Sequence, residues 1–535
     1  PLLRVNFDPA LVKLLREVRY FRLMKLDVPE AAMNIYGQME QFRQQTGNLE
    51  LIVNVYNRIL LTLLDIEKPM LQKRLDAIDK ELQKGLKFLT WKSNGIGEFI
   101  STTMHLVKES DNILSSINAN VTEMKELLGT LQENVMFERK EAKTYLMEEF
   151  DATHESIVGV RHGEAIGIGE KVHKLVLASN KVLKISKGDA AWRAYVAFLG
   201  GIVVDGISDA VQATLDTLLN NLDEDWLAKH DTNALIEIKL ELIGDSIEYT
   251  PSVTSRMGNE LQAAVNSWIR DYTNMAKFIA RLESGEGDYL METEEDEAIM
   301  MKVCAVAAQL KVSQQECIAF MDTYRTFEYL WVNDIRESFD QFLLLAEEEG
   351  QEPTLEQFDA EITKYKALQE EVSNLPNAKT VGWLRVDAKP IKQALGSWVS
   401  QWSYRYTEHL LNRVTNNVAE LNDFMAETAV TQEIEVPDGD VDTLLKVMGC
   451  IRDVRTRTEE TDGMFEPLRN TVQLLKKWNI DVSEETLKGL EEAPMTWSNL
   501  KKQTFAVKEV LTPLQNAEAE KVKKQVDEFN KEVES

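Results

Sequence analysis

The sequence has no proline between Pro69 and Pro251, and only three cysteines and six histidines in 535 residues. A long stretch without proline leaves helices uninterrupted, because proline inside a helix removes a backbone hydrogen bond and clashes with the preceding turn. The cysteines, Cys304, Cys317 and Cys450, show neither CxxC spacing nor an even-numbered framework. This excludes a disulfide-rich secreted domain and a zinc ribbon, and it predicts free thiols in the reducing cytoplasm.

Positive charge is also scarce. The chain has 60 basic and 89 acidic residues, for a formal net charge of −29, which repels the phosphates of DNA and RNA. The longest apolar run, 196–204, is interrupted by Gly200 and Gly201 and falls short of the ~20 residues that span a bilayer. No signal peptide is recognisable. We therefore expect neither a nucleic-acid partner nor a membrane partner.

Apolar residues recur every three or four positions along most of the chain, which is the spacing of one face of a helix. Four stretches carry the pattern: Leu71, Leu75, Ile78, Leu82, Leu86 and Leu89; Ile113, Ile117, Val121, Met124, Leu128, Leu131 and Val135; Leu261, Val265, Trp268, Tyr272, Met275, Ile279 and Leu282; and Phe320, Tyr324, Phe327, Trp331, Ile335, Phe339 and Phe342. No comparable alternation predicts a strand, except short pieces such as 202–204 or 434–436. The predicted fold class is all-α, an elongated series of stacked helical bundles with short glycine-rich or acidic joints.

Breaks in this pattern predict seven segments. Eight of the 25 glycines fall between Gly159 and Gly206, and dense acidic runs interrupt the chain twice more. We expect the first residue, Pro1, and the charged last residues to be cuts in a longer chain. The segments are a helical bundle region (1–158), a glycine-rich joint with short helices (159–206), a helical region (207–282), an acidic loop (283–297), an aromatic-rich helical bundle (298–426), an acidic linker (427–442) and a C-terminal helical bundle (443–535).

A glycine cluster invites comparison with a phosphate-binding loop. Gly163, Gly167 and Gly169 precede Lys171, but Glu170 separates the last glycine from the lysine and Val172 stands where Ser or Thr is needed. No hydrophobic strand precedes the cluster. We interpret it as a flexible joint and predict no phosphate site.

Three alternating carboxylates, Asp438, Asp440 and Asp442, resemble the start of a calcium loop. Such a loop needs glycine at its sixth position and glutamate at its twelfth, whereas Thr443 and Gly449 stand there. An acidic linker is the better interpretation.

No other group of residues in the sequence predicts a catalytic or metal-binding site. The histidines have no second ligand at zinc spacing, and no serine or cysteine lies in a GxSxG context. The aromatic group of Tyr324, Phe327, Tyr329 and Trp331 is typical of a helix core, with a binding platform as the alternative. We predict no catalytic, cofactor-binding or metal-binding residue.

The acidic loop 283–297 contains eight carboxylates and no basic residue. Two interpretations stay open. The carboxylates either remain solvated, as acidic loops usually do, or contact a basic partner subunit.

Several stretches resemble the tails of dynein heavy chains, especially the axonemal ones. The opening Val5-Asn6-Phe7-Asp8-Pro9-Ala10-Leu11-Val12-Lys13-Leu14-Leu15-Arg16-Glu17-Val18-Arg19-Tyr20-Phe21 is the most specific of them. Others follow in family order: Asn48 to Val53, Glu67 to Trp91, Tyr324 to Trp331, Met464 to Leu468, Ala493 to Trp497, and Leu500 to Lys502. The resemblance spans essentially the whole chain.

This resemblance implies a non-enzymatic tail segment, between an N-terminal dimerisation part and the linker and AAA+ ring. It implies a scaffold that binds intermediate and light chains and other heavy chains. Through docking proteins it would anchor a ciliary or flagellar arm to the axonemal doublet microtubule and transmit force. ATP and Mg belong to the motor ring of the parent chain, and no cofactor is expected here. The alternatives are a helical enzyme or small-molecule receptor, and an all-helical cytoskeletal scaffold or crosslinker unrelated to dynein.

Overall fold

The computed structural model describes residues 2–254, 258–282, 286–347, 353–437 and 439–533, without the side chains of 345–347 and 532. It is 77% helical, which confirms the all-α prediction. The described residues form seventeen α-helices: α1 (Pro9–Leu23), α2 (Glu30–Gly37), α3 (Met39–Thr62), α4 (Lys68–Lys87), α5 (Ile96–Glu133), α6 (Met147–Leu183), α7 (Ala190–Leu222), α8 (Glu224–Lys229), α9 (Glu260–Thr273), α10 (Leu290–Glu294), α11 (Glu297–Arg325), α12 (Tyr329–Val332), α13 (Ile335–Glu347), α14 (Leu355–Asn374), α15 (Lys389–Gln432), α16 (Val441–Lys477) and α17 (Glu484–Val533).

A small sheet accompanies the helices. Its strands are β1 (Tyr145–Leu146), β2 (Ile236–Ile243), β3 (Ser246–Thr250), β4 (Ala378–Val381) and β5 (Leu384–Asp387), in the order β1-β2-β5-β4 with β3 also paired to β2. Strands β1 and β2 are parallel, with Tyr145 opposite Ile236 and Leu146 opposite Glu237.

The sequence prediction placed possible strands at 202–204 and 434–436, and both placements are wrong. Residues 202–204 lie inside α7, and 434–436 form neither helix nor strand. Strand β2 instead follows a strict alternation in which Ile236, Ile238 and Leu240 are buried and charged residues lie between them. Gly244, with φ of +63°, makes the turn that leads into β3. This alternation was the signal that the helical interpretation overlooked.

The chain folds into two compact units. Unit 1 comprises Pro1–Lys239, Tyr249–Ala319 and Thr380–Val386. Its central element is α5, which packs against α3, α4, α6 and α7. Helix α5 serves four neighbours because it buries apolar residues along its whole length, among them Val107, Ile117 and Leu128.

The glycine-rich segment 159–206 is a correction to the predicted organisation. Instead of short helices, it consists of parts of two long ones, α6 and α7, and of the short connection 184–189 between them. Burial of stripes that include Val172, Val176 and Val203 stabilises these helices in spite of the low helix propensity of glycine. At Gly206 the glycine has a packing role, since an added Cβ would lie 2.8 Å from the Cβ of Leu128 on α5.

Unit 2 comprises Leu240–Glu248, Phe320–Lys379 and Asp387–Ser535. Helix α15 packs against α12, α13, α14, α16 and α17, and α16 also packs against α17. Three successive apolar clusters fill this bundle. One of them surrounds Trp497, whose indole N–H donates a hydrogen bond to Asp462 Oδ1 at 3.0 Å.

The predicted acidic segments are partly helical. Within the described part of 283–297, α10 forms and α11 begins, while 283–285 lie outside the described residues. In 427–442, α15 continues to Gln432 and α16 begins at Val441, and residue 438 again lies outside the described residues. That these segments separate rigid bodies, and that the bundles form an elongated series, stay predictions.

Candidate interaction surfaces

Three of the histidines, His154, His162 and His230, pack against other residues of the fold. The Nε2 atom of His154 lies 2.8 Å from the hydroxyl oxygen of Tyr272, and burial lowers the pKa of His154 to about 4. His162 Nε2 donates a hydrogen bond to the carbonyl oxygen of Asp271 at 2.9 Å, and burial lowers the pKa of His162 as well. His230 stacks on Trp226. Among the described residues, no group of three or more His, Cys, Asp or Glu side chains is placed to hold a metal ion.

The residues compared with a phosphate-binding loop lie in the middle of a helix. Gly163, Gly167, Gly169 and Lys171 belong to α6, where backbone N–H groups are engaged along the helix instead of converging on a phosphate. Gly169 lies against Ile279, whereas nothing within 4 Å would meet a Cβ at Gly163 or Gly167. The cluster has a helical geometry, not that of a loop.

The carboxylates compared with a calcium loop are separated by a helix start. Asp440 caps α16, and its Oδ1 accepts a hydrogen bond from the backbone N–H of Thr443 at 3.1 Å. Asp442 lies in the first turn of α16, and Asp438 lies outside the described residues. Asp440 therefore has a capping role.

The aromatic run is core, as its helical spacing predicts. Tyr324, Phe327 and Trp331 are buried, and the indole N–H of Trp331 donates a hydrogen bond to the carbonyl oxygen of Asp245 at 3.1 Å. Tyr329 is the exposed member of the four. A flat platform of these four rings is thus not formed.

One helix of the described chain, α7, has the length and composition to cross a membrane, and half of its most apolar window is buried inside the protein. Val203, Ile207 and Val211 are fully buried, whereas Asp205 and Asp209 are exposed. Packing at the centre of unit 1 accounts for the apolar character of this helix.

An ion pair and several hydrogen bonds hold the corner between α10 and α11. Glu292 pairs with Arg281, and Asp296 accepts backbone N–H bonds from Ala298 at 2.8 Å and from Ile299 at 3.1 Å at the start of α11. Asp296 also accepts a hydrogen bond from Ser208. Burial raises the pKa of Asp296 and these hydrogen bonds lower it, with a net shift below the usual range of the group.

Three other carboxylates of this corner, those of Glu294, Glu295 and Glu297, are exposed. Within the part of the chain that the structure describes, no ion pair or hydrogen bond engages these three side chains. The predicted acidic loop therefore separates into structural carboxylates and carboxylates that face solvent, a distinction that composition alone did not reveal.

Exposed apolar residues gather at three places on the described surface. They are the end of α1 with Tyr20, Phe21, Leu23 and Met24; the outward side of α11 with Met300, Met301 and Val312; and the end of α17 with Val522, Val526, Phe529 and Val533. Sequence reasoning missed all three, because helical spacing identifies an apolar stripe without saying whether the protein covers it.

Comparison with known proteins gives the family. Residues 1–99 match the family model of the dynein heavy chain, N-terminal region 1. The chain is 35% identical to the dynein beta chain of the flagellar outer arm of Chlamydomonas reinhardtii, 31% to dynein axonemal heavy chain 17 of Mus musculus and 30% to the ciliary dynein beta chain of Heliocidaris crassispina. Each match covers 99% of this chain and 12 to 13% of the relative.

The chain therefore spans about an eighth of the length of these relatives. The match lies in the N-terminal region and outside the AAA+ motor, which confirms the prediction of a non-enzymatic tail segment. It also overturns the alternative of a scaffold unrelated to dynein. The predicted location in the axoneme of a cilium or flagellum agrees with the relatives. Over 99% of its length the chain is similar to axonemal dynein heavy chains, and it corresponds to a segment of their N-terminal tail region.

Proposed function

We propose that this segment is a structural scaffold in the tail of a ciliary or flagellar dynein heavy chain. It binds intermediate and light chains and neighbouring heavy chains. Through docking proteins it anchors the arm to the doublet microtubule, and it transmits force to and from a motor that lies outside this segment. The ATP and Mg that drive the motor bind in that distant ring.

One observation carries the proposal: long helices packed over continuous apolar seams, in a chain that matches axonemal dynein tails from end to end. Helices α15 and α17 contain 44 and 50 residues, and the α15–α17 bundle is filled by successive apolar clusters. Long helices with interlocked side chains keep their geometry under load, because bending them requires many packed contacts to separate together. Such a body suits force transmission.

Partner binding is supported by the surface. Apolar residues on α1, α11 and α17 are exposed and are not covered by the rest of the described chain. Large exposed apolar patches mark interaction sites. The competing function, a helical enzyme or small-molecule receptor, requires convergent polar groups in a pocket. Two titratable groups that sequence reasoning weighed as site candidates have structural roles instead: His154 packs against Tyr272, and Asp440 caps α16.

The test removes this segment from the full-length heavy chain in a ciliated cell. We expect the shortened chain to keep its ATPase activity in extracts and to lose co-purification with intermediate chains and incorporation into axonemal arms. Normal arms, seen by electron cryotomography of axonemes from cells with only the shortened chain, would contradict the proposal. Saturable ATP binding by residues 1–535 alone would favour the competing function.

A further inference from the structure

Helix α11 has apolar residues on two opposite sides. Ile299, Val306 and Cys317 face inward and are buried. On the opposite side lie Met301, Cys304, Ala308 and Val312, which are all exposed. We name these four residues the α11 outer face. A helix that is apolar all round is ordinarily buried on every side, so packing within the described chain leaves this face unexplained.

The α11 outer face has the residue spacing of one side of a helix. Its residues recur at intervals of three, four and four positions, and Met301 and Val312 are 63% and 49% exposed. No charged residue lies between Lys302 and Lys311. The stripe extends over roughly 16 Å at ~1.5 Å per residue, or about three helical turns. Small side chains at its centre allow close approach, and methionine adapts to the shape of a partner.

Negative charge lies at the N-terminal end of this stripe. Glu297 is four residues before Met301 and therefore on the same side of the helix. Glu294, the last residue of α10, and Glu295, in the turn before α11, are also exposed. Asp296 is held by its hydrogen bonds, so these three carboxylates are the ones that face solvent. The site therefore combines an apolar stripe with a negative end.

We propose that the α11 outer face docks a basic amphipathic helix from another subunit of the dynein arm. The partner helix places large apolar side chains over Cys304 and Ala308, and lysines or arginines at one end against Glu294, Glu295 and Glu297. Helix-in-groove recognition uses this spacing of apolar anchors, and complementary charge selects the partner and its orientation. The inference rests on the proposed scaffold function and names one of its binding surfaces.

The chemistry disfavours other occupants. Three exposed carboxylates repel anionic lipid headgroups and nucleic acids. A stripe of about three turns also suits one helix better than a second folded domain, which needs roughly 800 Å² on each partner. A second copy of the chain is distinguished by the experiment.

The experiment uses the whole 535-residue chain and a synthetic 18-residue peptide as the probe. The peptide carries leucines at i, i+3, i+4 and i+7 and lysines at one end of the helix, as the proposed partner does. Its control has the same composition in an order without helical periodicity. Fluorescence anisotropy should show saturable one-to-one binding of the amphipathic peptide and at least tenfold weaker binding of the control.

Two sets of variants locate the site. Joint replacement of Glu294→Gln, Glu295→Gln and Glu297→Gln should weaken binding at least tenfold at low salt and reduce its salt dependence. Ala308→Arg should abolish binding, because it places a bulky cation in the middle of the stripe.

The matched control is the triple replacement E484Q, E485Q and E491Q at exposed positions of α17, with the same change in net charge. We expect it to leave binding unchanged. Circular dichroism must show the same helix content for every variant. If Ala308→Arg fails this check, Ala305→Arg, at a neighbouring exposed position, takes its place.

A chemical footprint gives a second readout. The thiol of Cys304 is exposed and that of Cys317 is buried, so N-ethylmaleimide should modify Cys304 first. Bound peptide should slow the modification of Cys304 at least fivefold, as measured by peptide mass spectrometry. Cys317 is the internal reference.

The inference is overturned if the two peptides bind equally, if the α11 and α17 triple variants behave alike, or if Cys304 is not protected. It is also overturned if the chain self-associates and Ala308→Arg makes it monomeric, since a second copy then covers the face. In each case the scaffold function stands if the chain still joins arm subunits. That function fails separately if the full-length heavy chain assembles without this segment.

Discussion

Gly206 lets α7 approach Leu128 of α5 closely, and its replacement by alanine tests the packing of unit 1. An ideal Cβ on Gly206 would lie 2.8 Å from the Cβ of Leu128 and 3.2 Å from its Cγ and Cδ1. Carbon atoms in contact prefer ~3.5–4.0 Å, so the two helices would have to separate locally by roughly 0.7 Å. The Cβ of Leu128 cannot rotate away, since it is fixed to the backbone.

The expected effect is the difference between two opposing contributions. Overpacking a well-filled core costs ~1–3 kcal/mol, and the rigid contact with Leu128 places Gly206→Ala near the upper end of this range. Alanine in a helix interior is more favourable than glycine by ~1 kcal/mol. We therefore expect Gly206→Ala to lower the free energy of unfolding of unit 1 by about 1–2 kcal/mol.

Gly163 on α6 is the matched control, because nothing within 4 Å would meet its added Cβ. Gly163→Ala should therefore raise the stability by ~1 kcal/mol. The assay is native-state hydrogen exchange in increasing urea, read for peptides of α5, α6 and α7, since a chain with two units need not unfold in one step. If both replacements stabilise the protein equally, the close contact between α5 and α7 is wrong.

Three further changes have expected outcomes. Burial lowers the pKa of His154 to about 4, so the folded state loses stability as pH falls from ~6.5 toward that value, by roughly 3 kcal/mol in total. Urea titrations at several pH values should therefore give a steeper dependence of the free energy of unfolding on pH for the wild type than for His154→Phe. Equal dependences would exclude a buried neutral imidazole beside Tyr272. Asp359→Ala should lower stability by ~1–3 kcal/mol in thermal unfolding, because the carboxylate of Asp359 accepts a hydrogen bond from the indole of Trp478 at 2.8 Å. A loss of stability smaller than the error of the measurement would contradict that bond. Gly244→Val should destabilise the hairpin by ~1 kcal/mol or more, since φ there is +63°, and unchanged exchange of the β2 amides would contradict this.

The helical architecture was predictable because its signal is repeated many times. Each stretch of apolar residues at intervals of three and four becomes a buried face in the structure, as Leu71, Leu75 and Ile78 show on α4. The aromatic core around Trp331 follows from the same spacing. In these regions local propensity and burial favour the same structure, which makes a sequence easy to interpret.

The prediction of a joint with short helices at 159–206 was wrong because helix propensity and burial favour different structures there. Glycine predicts a joint, but α6 and α7 bury enough apolar surface on one side to remain helical. Strand β2 was missed for a different reason. The alternation of buried and charged residues in β2 is short and isolated in a chain whose apolar residues mostly recur with the period of a helix. A search for helical spacing therefore does not detect it.

The acidic corner shows why surfaces are harder to predict than cores. Composition gives eight carboxylates in 283–297 but cannot separate Asp296, which caps α11, from Glu297, which faces solvent one residue later. That separation depends on where α11 begins and on its neighbour Ser208, both of which come from tertiary structure.

Helix α11 extends the same reasoning to partners. The spacing of apolar residues shows how many sides of a helix are apolar. Removing an apolar side from water stabilises whatever structure covers it. Within the described chain, α11 has two such sides and covers one of them, the side that includes Val306. The exposed side with Met301 and Val312 carries the same kind of residues at the same spacing. Under the proposed scaffold function, the packing that buries this side belongs to another subunit of the arm.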